Sequence, residues 1–390
     1  MKIDKSNPWH WMALFASSCL LLLALPYRLT KPRRPKKAIV VFYGHTLNSH
    51  LRTLYTYWLN RPDVDVYFLS FDHKKTTRQL RSAGYRVLDG LSFRDLVKLT
   101  RASVFFSSHG LHHFVLLRIL TSMKFIDLFH SPLAYKGFDA SDFKHLHPSD
   151  EVWVSSRGVR KMYIHKYGFD AEKVKVTGCA RVEDIWRYTK QRKAIMKTHG
   201  LDPAKKTILV APTWKQDNRH RSIVPFGLTL AEFMQCILSI AREDDIQVIF
   251  RAHLNSGDSE QFQNAKNIHI MPYSQYPNTE EFLAISDVLI NDWSSIAMDF
   301  LVTNRPIVYL DVKPPFAKGF SAPPEYRAGA VVKDQQELVA ALRQAVYQPV
   351  EYQEKYKNRI IQTKELAFGD TLDGKTLERC DHRLDLLLNK

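Results

Sequence analysis

SDVLINDWSSIAMDF, residues 286–300, compresses a strand, a tight loop and a helix start into one short segment. Val288-Leu289-Ile290 is an apolar run of strand length, and Asp292-Trp293 forms a loop. Ser294 or Ser295 then offers a cap for a helix ending near Asn304. Pro306 stops that helix, and Ile307-Val308-Tyr309-Leu310 reads as the next strand. Upstream, Asn278 and Glu281 make a capping-box-like start for a short helix through Phe282 and Ala284. The segment is therefore a βαβ unit with a pair of hydroxyls at a helix start, on the carboxyl side of a strand. Backbone N–H groups and the positive dipole end at such a place favour anions, phosphate above all. The same Ser-Ser pair also suits a plain helix cap, and these residues alone leave both readings open.

Outward from this unit the pattern repeats in both directions. Strands are predicted over Ala38–Tyr43, Val64–Leu69, Tyr85–Leu88, Ser103–Ser107, Phe125–Phe129, Val152–Val154 and Val174–Thr177, with helices between them. A long helix is predicted over Glu183–His199, ending at Gly200 with Pro203 beyond it. A second set follows with strands Thr207–Ala211, Gln247–Phe250, Ile268–Met271, the two strands of the opening unit, and Ala330–Val332. Repeated βα units argue for parallel sheets covered by helices on both faces. The expected architecture is α/β, with two Rossmann-like domains (residues 38–200 and 201–370) facing each other across a cleft and a C-terminal helix over 371–390. Ligands in such sheets sit outside the carboxyl ends of the strands.

The composition narrows the partners. Lys plus Arg exceed Asp plus Glu by 16 (56 against 40), which suits an anionic membrane face, an anionic substrate, or both. No basic stripe interleaved with aromatics is present, nor a zinc-finger or helix-turn-helix signature, so nucleic acid is not an expected partner. Cys19, Cys179, Cys236 and Cys380 are far apart, which fits a reduced compartment. Ser6–Tyr27 contains no Lys, Arg, Asp or Glu, carries Trp9 and Trp11 at one end and Tyr27 at the other, and precedes Arg28, Lys31, Arg33, Arg34, Lys36 and Lys37. Residues 1–30 are therefore expected to be a membrane anchor, spanning the bilayer or lying in one leaflet, with the catalytic domains on the cytoplasmic side. No small-x-small cleavage site follows Leu25, which argues against a removed signal peptide.

Several polar residues fall at predicted strand ends. His130 follows Phe125–Phe129, and a neutral imidazole there can take a proton from an attacking hydroxyl near neutral pH. His253, close to Arg251 in Arg251-Ala252-His253, suits phosphate oxygens or protonation of a leaving phosphate. Thr213 and Lys215 end the first strand of the second half and are candidates for phosphate contact, with Trp214 placed to stack or simply to pack. No convincing metal site is found, because His112-His113 point different ways on a helix and His145 with His147 lacks a carboxylate at ligand spacing. GxSxG, Walker A and GxGxxG are all absent, which weakens hydrolase, nucleotide-triphosphatase and dehydrogenase readings, and no cofactor is expected.

Taken in order, these turns resemble the CDP-glycerol glycerophosphotransferase family, whose members build teichoic acids and related phosphodiester polymers. His130-Ser131-Pro132-Leu133-Ala134-Tyr135-Lys136-Gly137 is similar to the family's His-Gly-Thr-Pro-Leu-Lys turn. Asp150–Ser156 through Tyr167-Gly168-Phe169 resembles its strand and Ser-rich turn, and Gly178–Glu183 its Gly-x-Pro-Arg-x-Asp motif. Ala211-Pro212-Thr213-Trp214-Lys215 matches Ala-Pro-Thr-Trp-Arg, Arg251-Ala252-His253 resembles Arg-x-His, and Ser286–Phe300 resembles the Ser-Asp-x-Leu-Ile-Thr-Asp-Tyr-Ser-Ser segment. The match runs unbroken over roughly residues 100–315. Ser131 stands where the family has Gly, Ala180 and Glu183 where it has Pro and Asp, and Trp293 where it has Tyr.

The resemblance implies a GT-B fold, a CDP-activated polyol phosphate donor bound mainly by the second domain, and a lipid-linked saccharide acceptor at the membrane. It assigns His130 as catalytic base and His253 as a phosphate-binding or acid residue. Thr213, Lys215, Arg251, Asp292, Ser294, Ser295 and Asp299 become the donor site, with Arg181 and Ser155 as further candidates. The rival enzymatic reading is a GT-B glycosyltransferase using a nucleotide sugar in surface polysaccharide or lipopolysaccharide synthesis. A rival of another class is a non-catalytic membrane-bound module that binds anionic polymer.

Overall fold

A computed structural model describes residues 8–29, 37–108, 114–129, 131–146, 148–213, 224–251 and 266–389. The first sheet contains β1 (Ala38–Tyr43), β2 (Val64–Ser70), β3 (Val87–Asp89), β4 (Val104–Ser107), β5 (Lys124–Asp127), β6 (Glu151–Val154) and β7 (Val174–Val176). They are parallel throughout, in the order β3-β2-β1-β4-β5-β6-β7. The second sheet holds β8 (Lys206–Val210), β9 (Ile246–Phe250), β10 (Ile268–Ile270), β11 (Val288–Asn291), β12 (Ile307–Leu310) and β13 (Ala330–Val332), again all parallel, ordered β10-β9-β8-β11-β12-β13.

Strands buried on both faces need apolar residues at every position, and β1 shows why AIVVFY carries no alternation. Val40 and Phe42 pack on one side with Leu51, Leu54 and Trp58 of the helix α2 (Ser49–Trp58). Val41 and Tyr43 pack on the other with Leu96, Leu99 and Leu117. The same two-sided burial fixes the registers Ile290 opposite Val210 and Val308 in the second sheet. The strand order reverses between β1 and β4 and between β8 and β11, and both reversals lie near the middle of their sheets.

The chain crosses between the domains more than once. The expected continuous helix over Glu183–His199 is in fact two, Arg181–Lys190 and Arg192–Thr198, broken at Gln191. The break lets Arg192 reach Asp287 at 2.6 Å and buries Met196 completely. Later the helix Thr376–Leu387 returns to the first sheet, where Cys380 and Leu384 join the Trp58 cluster. Trp58 Nε1 donates to Asp381 at 2.9 Å, and Arg61 pairs with Asp385 at 2.7 Å. The loop through Tyr135 also runs against the second domain, where Gly137 N donates to Gly319 O at 2.8 Å and Ser321 N to Tyr135 O at 2.9 Å. A Cβ on Gly137 would lie 2.3 Å from the Lys318 carbonyl oxygen, so no larger residue fits this strap.

The expectation of a spanning anchor is corrected by the helix α1 (Pro8–Ala24). Its 17 residues reach about 26 Å, short of a bilayer core, and no helix among the described residues is long and apolar enough to cross a membrane. One stripe of α1 is already used: Ser17 and Ala24 are buried, and Leu20 and Leu21 pack on the cluster that contains Leu96, Leu99 and Phe105. The opposite side leaves Trp9, Trp11, Met12, Phe15, Leu22 and Leu23 exposed. An uncharged run had hidden two apolar faces with different neighbours.

Leu384→Ala is expected to lower global stability by about 2–5 kcal/mol, because the residue is fully buried where the last helix closes the first domain. Denaturant or thermal unfolding of the variant beside wild type measures this. An unchanged midpoint would show that the last helix does not contribute to the core.

Candidate functional site

Thr213 leaves the end of β8 and Asp292 the end of β11, the neighbouring strands at which the second sheet reverses its order. The two loops are tied by one carboxylate oxygen. Thr213 donates to Asp292 Oδ1 through its backbone N (2.7 Å) and through Oγ1 (2.6 Å), and Trp293 N donates to the same oxygen at 2.6 Å. Asp292 is 1 % exposed and thus acts on the loops themselves. Trp293 is fixed as well: its indole N–H donates to Val312 O at 2.6 Å, and the Arg327 guanidinium lies 4.4 Å from its ring.

Ser294 and Ser295 follow directly. The helix here is only Ile296–Phe300, continued by a 3₁₀ turn to Thr303 and closed at Asn304 with φ 56°. Ser295 occupies the cap position but its side chain makes no cap hydrogen bond. Asn291 Nδ2 instead holds the turn by donating to Ser294 O at 2.8 Å. Both serines remain half-buried.

Arg251, at the end of β9, is 5 % exposed and has no carboxylate partner among the described residues. Its guanidinium donates to Met271 O (3.2 Å), Tyr276 O (2.6 Å) and Thr279 Oγ1 (3.0 Å), and lies over Phe282 (4.7 Å) and Tyr273 (5.5 Å). Burial lowers its pKa to about 10, so it stays cationic at neutral pH. Among the described residues, three of the five N–H donors of a guanidinium are used in this way.

The first domain supplies the opposite wall. Arg181 Nε lies 2.7 Å from Asp299 Oδ1, and its NH1 donates to Ser49 Oγ at 3.0 Å. Burial pushes the Asp299 carboxyl up to about 7, and the attraction of Arg181 only partly opposes it. Arg52 donates to Asn278 Oδ1 and Tyr188 Oη, each at 2.8 Å. Thr46 Oγ1 lies 3.2 Å from Tyr273 Oη, and Asn48 Nδ2 donates to the same hydroxyl. Asn278 and Glu281 do meet, but side chain to side chain, and no capping box forms because Asn278 is drawn across the domain interface.

Of the residues singled out from the sequence, the structure gathers Thr213, Arg251, Asp292, Ser294, Ser295, Asp299 and Arg181 along this cleft. Ser155 lies elsewhere, its hydroxyl within hydrogen-bonding distance of Ala367 O (2.6 Å) and Pro132 O (2.9 Å), where it straps the turn after residue 130 to the returning chain. His130, Lys215 and His253 lie outside the described residues; the neighbours Phe129 and Ser131, Thr213, and Arg251 are all buried. Sequence reasoning missed Thr46, Asn48, Ser49 and Arg52. Their signal was the turn Gly44-His45-Thr46 closing the first strand, at the reversal point of the first sheet.

Two parallel-sheet domains whose carboxyl edges meet around buried arginines define a GT-B-like enzyme architecture. The chain belongs to the CDP-glycerol:poly(glycerophosphate) glycerophosphotransferase family, whose model matches residues 25–379. Its relatives include a teichoic acid poly(ribitol-phosphate) polymerase of Bacillus spizizenii, 24 % identical over 67 % of this chain and 43 % of that protein. The teichoic acid glycerol-phosphate transferase of Staphylococcus aureus is 30 % identical over 36 % of each chain. The ribitol-phosphate polymerase TarK of the same organism is 21 % identical over 77 % of this chain and 61 % of that one. The chain thus spans less than two thirds of the length of each. In fold it is similar to the wall teichoic acid polymerase TagF, with a TM-score of 0.74 at 18 % identity, covering 97 % of this chain and 93 % of TagF.

The raised pKa of Asp299 has a signed consequence. Its ordinary value is 3.8, so its contribution to stability is fully present below that pH and is lost as pH rises through about 7. Thermal melts from pH 4 to pH 8 are expected to show wild type losing stability relative to Asp299→Asn as pH rises. Parallel curves for the two proteins would show that Asp299 titrates as an ordinary carboxylate.

Proposed function

We propose that the protein transfers glycerol phosphate, or a similar polyol phosphate, from a CDP-activated donor to a hydroxyl of a lipid-linked saccharide or polymer, releasing CMP. The observation that carries this reading is Arg251: a buried guanidinium with no carboxylate partner among the described residues, beside the reversal point of its sheet. Such a group attracts an anion, and membership of the glycerophosphotransferase family indicates which one. A variant of TagF has been soaked with CDPG, which supports a CDP-glycerol site in a protein of this fold.

In the proposed reaction the acceptor hydroxyl attacks the β-phosphorus while His130 takes its proton. The bond from that phosphorus to the bridging oxygen breaks, and CMP leaves with the electron pair. His253, Lys215, Arg251 and the Ser294-Ser295 turn offset the charge on the phosphates, and Thr213 is held beside them by Asp292. Catalysis of this kind is mainly positioning and electrostatics.

We place the protein on the cytoplasmic face of the cell membrane, with α1 lying in the interface plane. Its outer side offers Trp9, Trp11, Met12, Phe15, Leu22 and Leu23. Ile119, on a helix packed over the same side of the first sheet, is 71 % exposed. The positive residues from Arg28 to Lys37 suit anionic lipid.

Nucleotide release is measured from CDP-glycerol, CDP-ribitol and, for contrast, UDP- and CMP-sugars, each with a membrane lipid extract. CMP is expected only from a CDP-polyol, and His130→Ala and His253→Ala are each expected to slow it by roughly a hundredfold or more. Full activity in both variants, or release from a nucleotide sugar alone, would defeat the proposal. For the membrane seat, Trp9→Glu with Phe15→Glu is expected to weaken binding to anionic phospholipid vesicles about tenfold or more. Undiminished vesicle binding by that double variant would remove α1 from the contact.

A further inference from the structure

Tyr135 lies in the loop after β5, five residues beyond His130, and is completely buried. The second domain holds it. Its hydroxyl donates to Tyr326 O at 3.1 Å and lies 3.3 Å from Tyr309 Oη, and its carbonyl accepts from Ser321 N at 2.9 Å. Its ring meets Trp293 edge to face, with centroids 5.9 Å apart and planes at 83°.

Trp293 is tied in turn to the loops at the reversal point of the second sheet. Its backbone N–H shares Asp292 Oδ1 with the N–H and hydroxyl of Thr213, and its indole N–H donates to Val312 O at 2.6 Å. Phe320 (5.2 Å), Phe316 (6.2 Å) and the Arg327 guanidinium (4.4 Å) also lie against the indole. Tyr135 is therefore packed on the side chain whose own backbone braces Asp292, and Ser294 is the next residue.

The start of the same loop is anchored on the first domain. Ser155 Oγ lies 2.9 Å from Pro132 O, and Ser131 Oγ donates to Leu133 O at 2.8 Å. Residues 131–135 thus run from an anchor on one domain to an anchor on the other. A buried aromatic pair is by default core packing. This pair differs in where its rings stand: one in the loop of the proposed base, the other between Asp292 and Ser294 of the donor loops. Transfer needs hydroxyl, base and phosphorus aligned together, and a shift of about 1 Å can cost roughly a hundredfold in rate. We propose that Tyr135 and Trp293 are positioning residues, whose contact sets the loop of His130 against the loops that hold the donor. The assignment rests on the donor reading above.

The test measures CMP release from CDP-glycerol with a membrane lipid extract and, separately, calorimetric affinity for CDP-glycerol. The proteins are wild type, Tyr135→Leu, Tyr135→Phe, Trp293→Phe and the double variant Tyr135→Leu with Trp293→Phe, each with a thermal melt. Tyr135→Leu keeps an apolar side chain but loses the ring, and is expected to lower kcat about tenfold or more with affinity unchanged. Tyr135→Phe keeps the ring against Trp293 and is expected to restore most of that rate. Trp293→Phe opens the contact from the other side, and so serves if Tyr135→Leu does not fold. The double variant is expected to lose no more than the worse single one, because both changes break one contact. Wild-type kcat in Tyr135→Leu and Trp293→Phe, whatever their melting temperatures, overturns the proposal and leaves the pair as core packing. So does a rate loss matched by an equal loss of affinity, or losses that multiply in the double variant. Failure of wild type to bind CDP-glycerol or release CMP from it instead overturns the donor reading, and this inference with it.

Discussion

The contact between Arg181 and Asp299 is the constraint on which the cleft depends. It joins the domains at 2.7 Å, with side-chain exposures of 11 % and 4 %. Desolvating two such ions costs several kcal/mol each, so the pair persists only because the surrounding chain holds both members in place. Arg181 is anchored at the start of its helix and by Ser49, and Asp299 sits in the short helix that follows the Ser294-Ser295 turn. The positions of the turn and of the first-domain wall are thereby linked. Burial raises the Asp299 carboxyl, and the attraction of Arg181 only partly opposes it.

Around that pair the two domains contribute in different ways. The second domain presents loops that brace one another, with Asp292 accepting three N–H or O–H groups and Trp293 locked by Val312 and Arg327. The first domain presents helix side chains, chiefly Arg52, Ser49 and Arg181. The strap between residues 134–137 and 319–322 adds backbone hydrogen bonds away from the charged centre.

The sequence made the sheets legible because strands buried on both faces read as unbroken apolar runs bounded by Gly, Pro and Asn. It made the second-domain loops legible because their partners lie close in the pattern of strand ends. Three things were hidden. The inner and outer faces of α1 differ only in what they touch, and an apolar run without charge carries no periodic mark of that difference. The break at Gln191 contains neither Gly nor Pro, and it coincides with a tertiary contact between Arg192 and Asp287. The wall formed by Thr46, Asn48, Ser49 and Arg52 meets residues 132 to 227 positions away, and short motifs do not encode such distances.

Arg251 and Glu280 show why the same local chemistry resists motif reading. Each is buried, each is of opposite charge, and they lie within electrostatic range of one another. Direct pairing would neutralise both. Instead, Met271, Tyr276 and Thr279 accept three hydrogen bonds from the guanidinium, while Tyr273 and Phe282 lie against it. Arg251 therefore keeps its positive field, and Glu280 Oε2 stays without a hydrogen-bond partner. A guanidinium held by carbonyls and a hydroxyl keeps the positive field that a carboxylate partner would cancel, and a three-residue motif around Arg251 carries no sign of those distant acceptors.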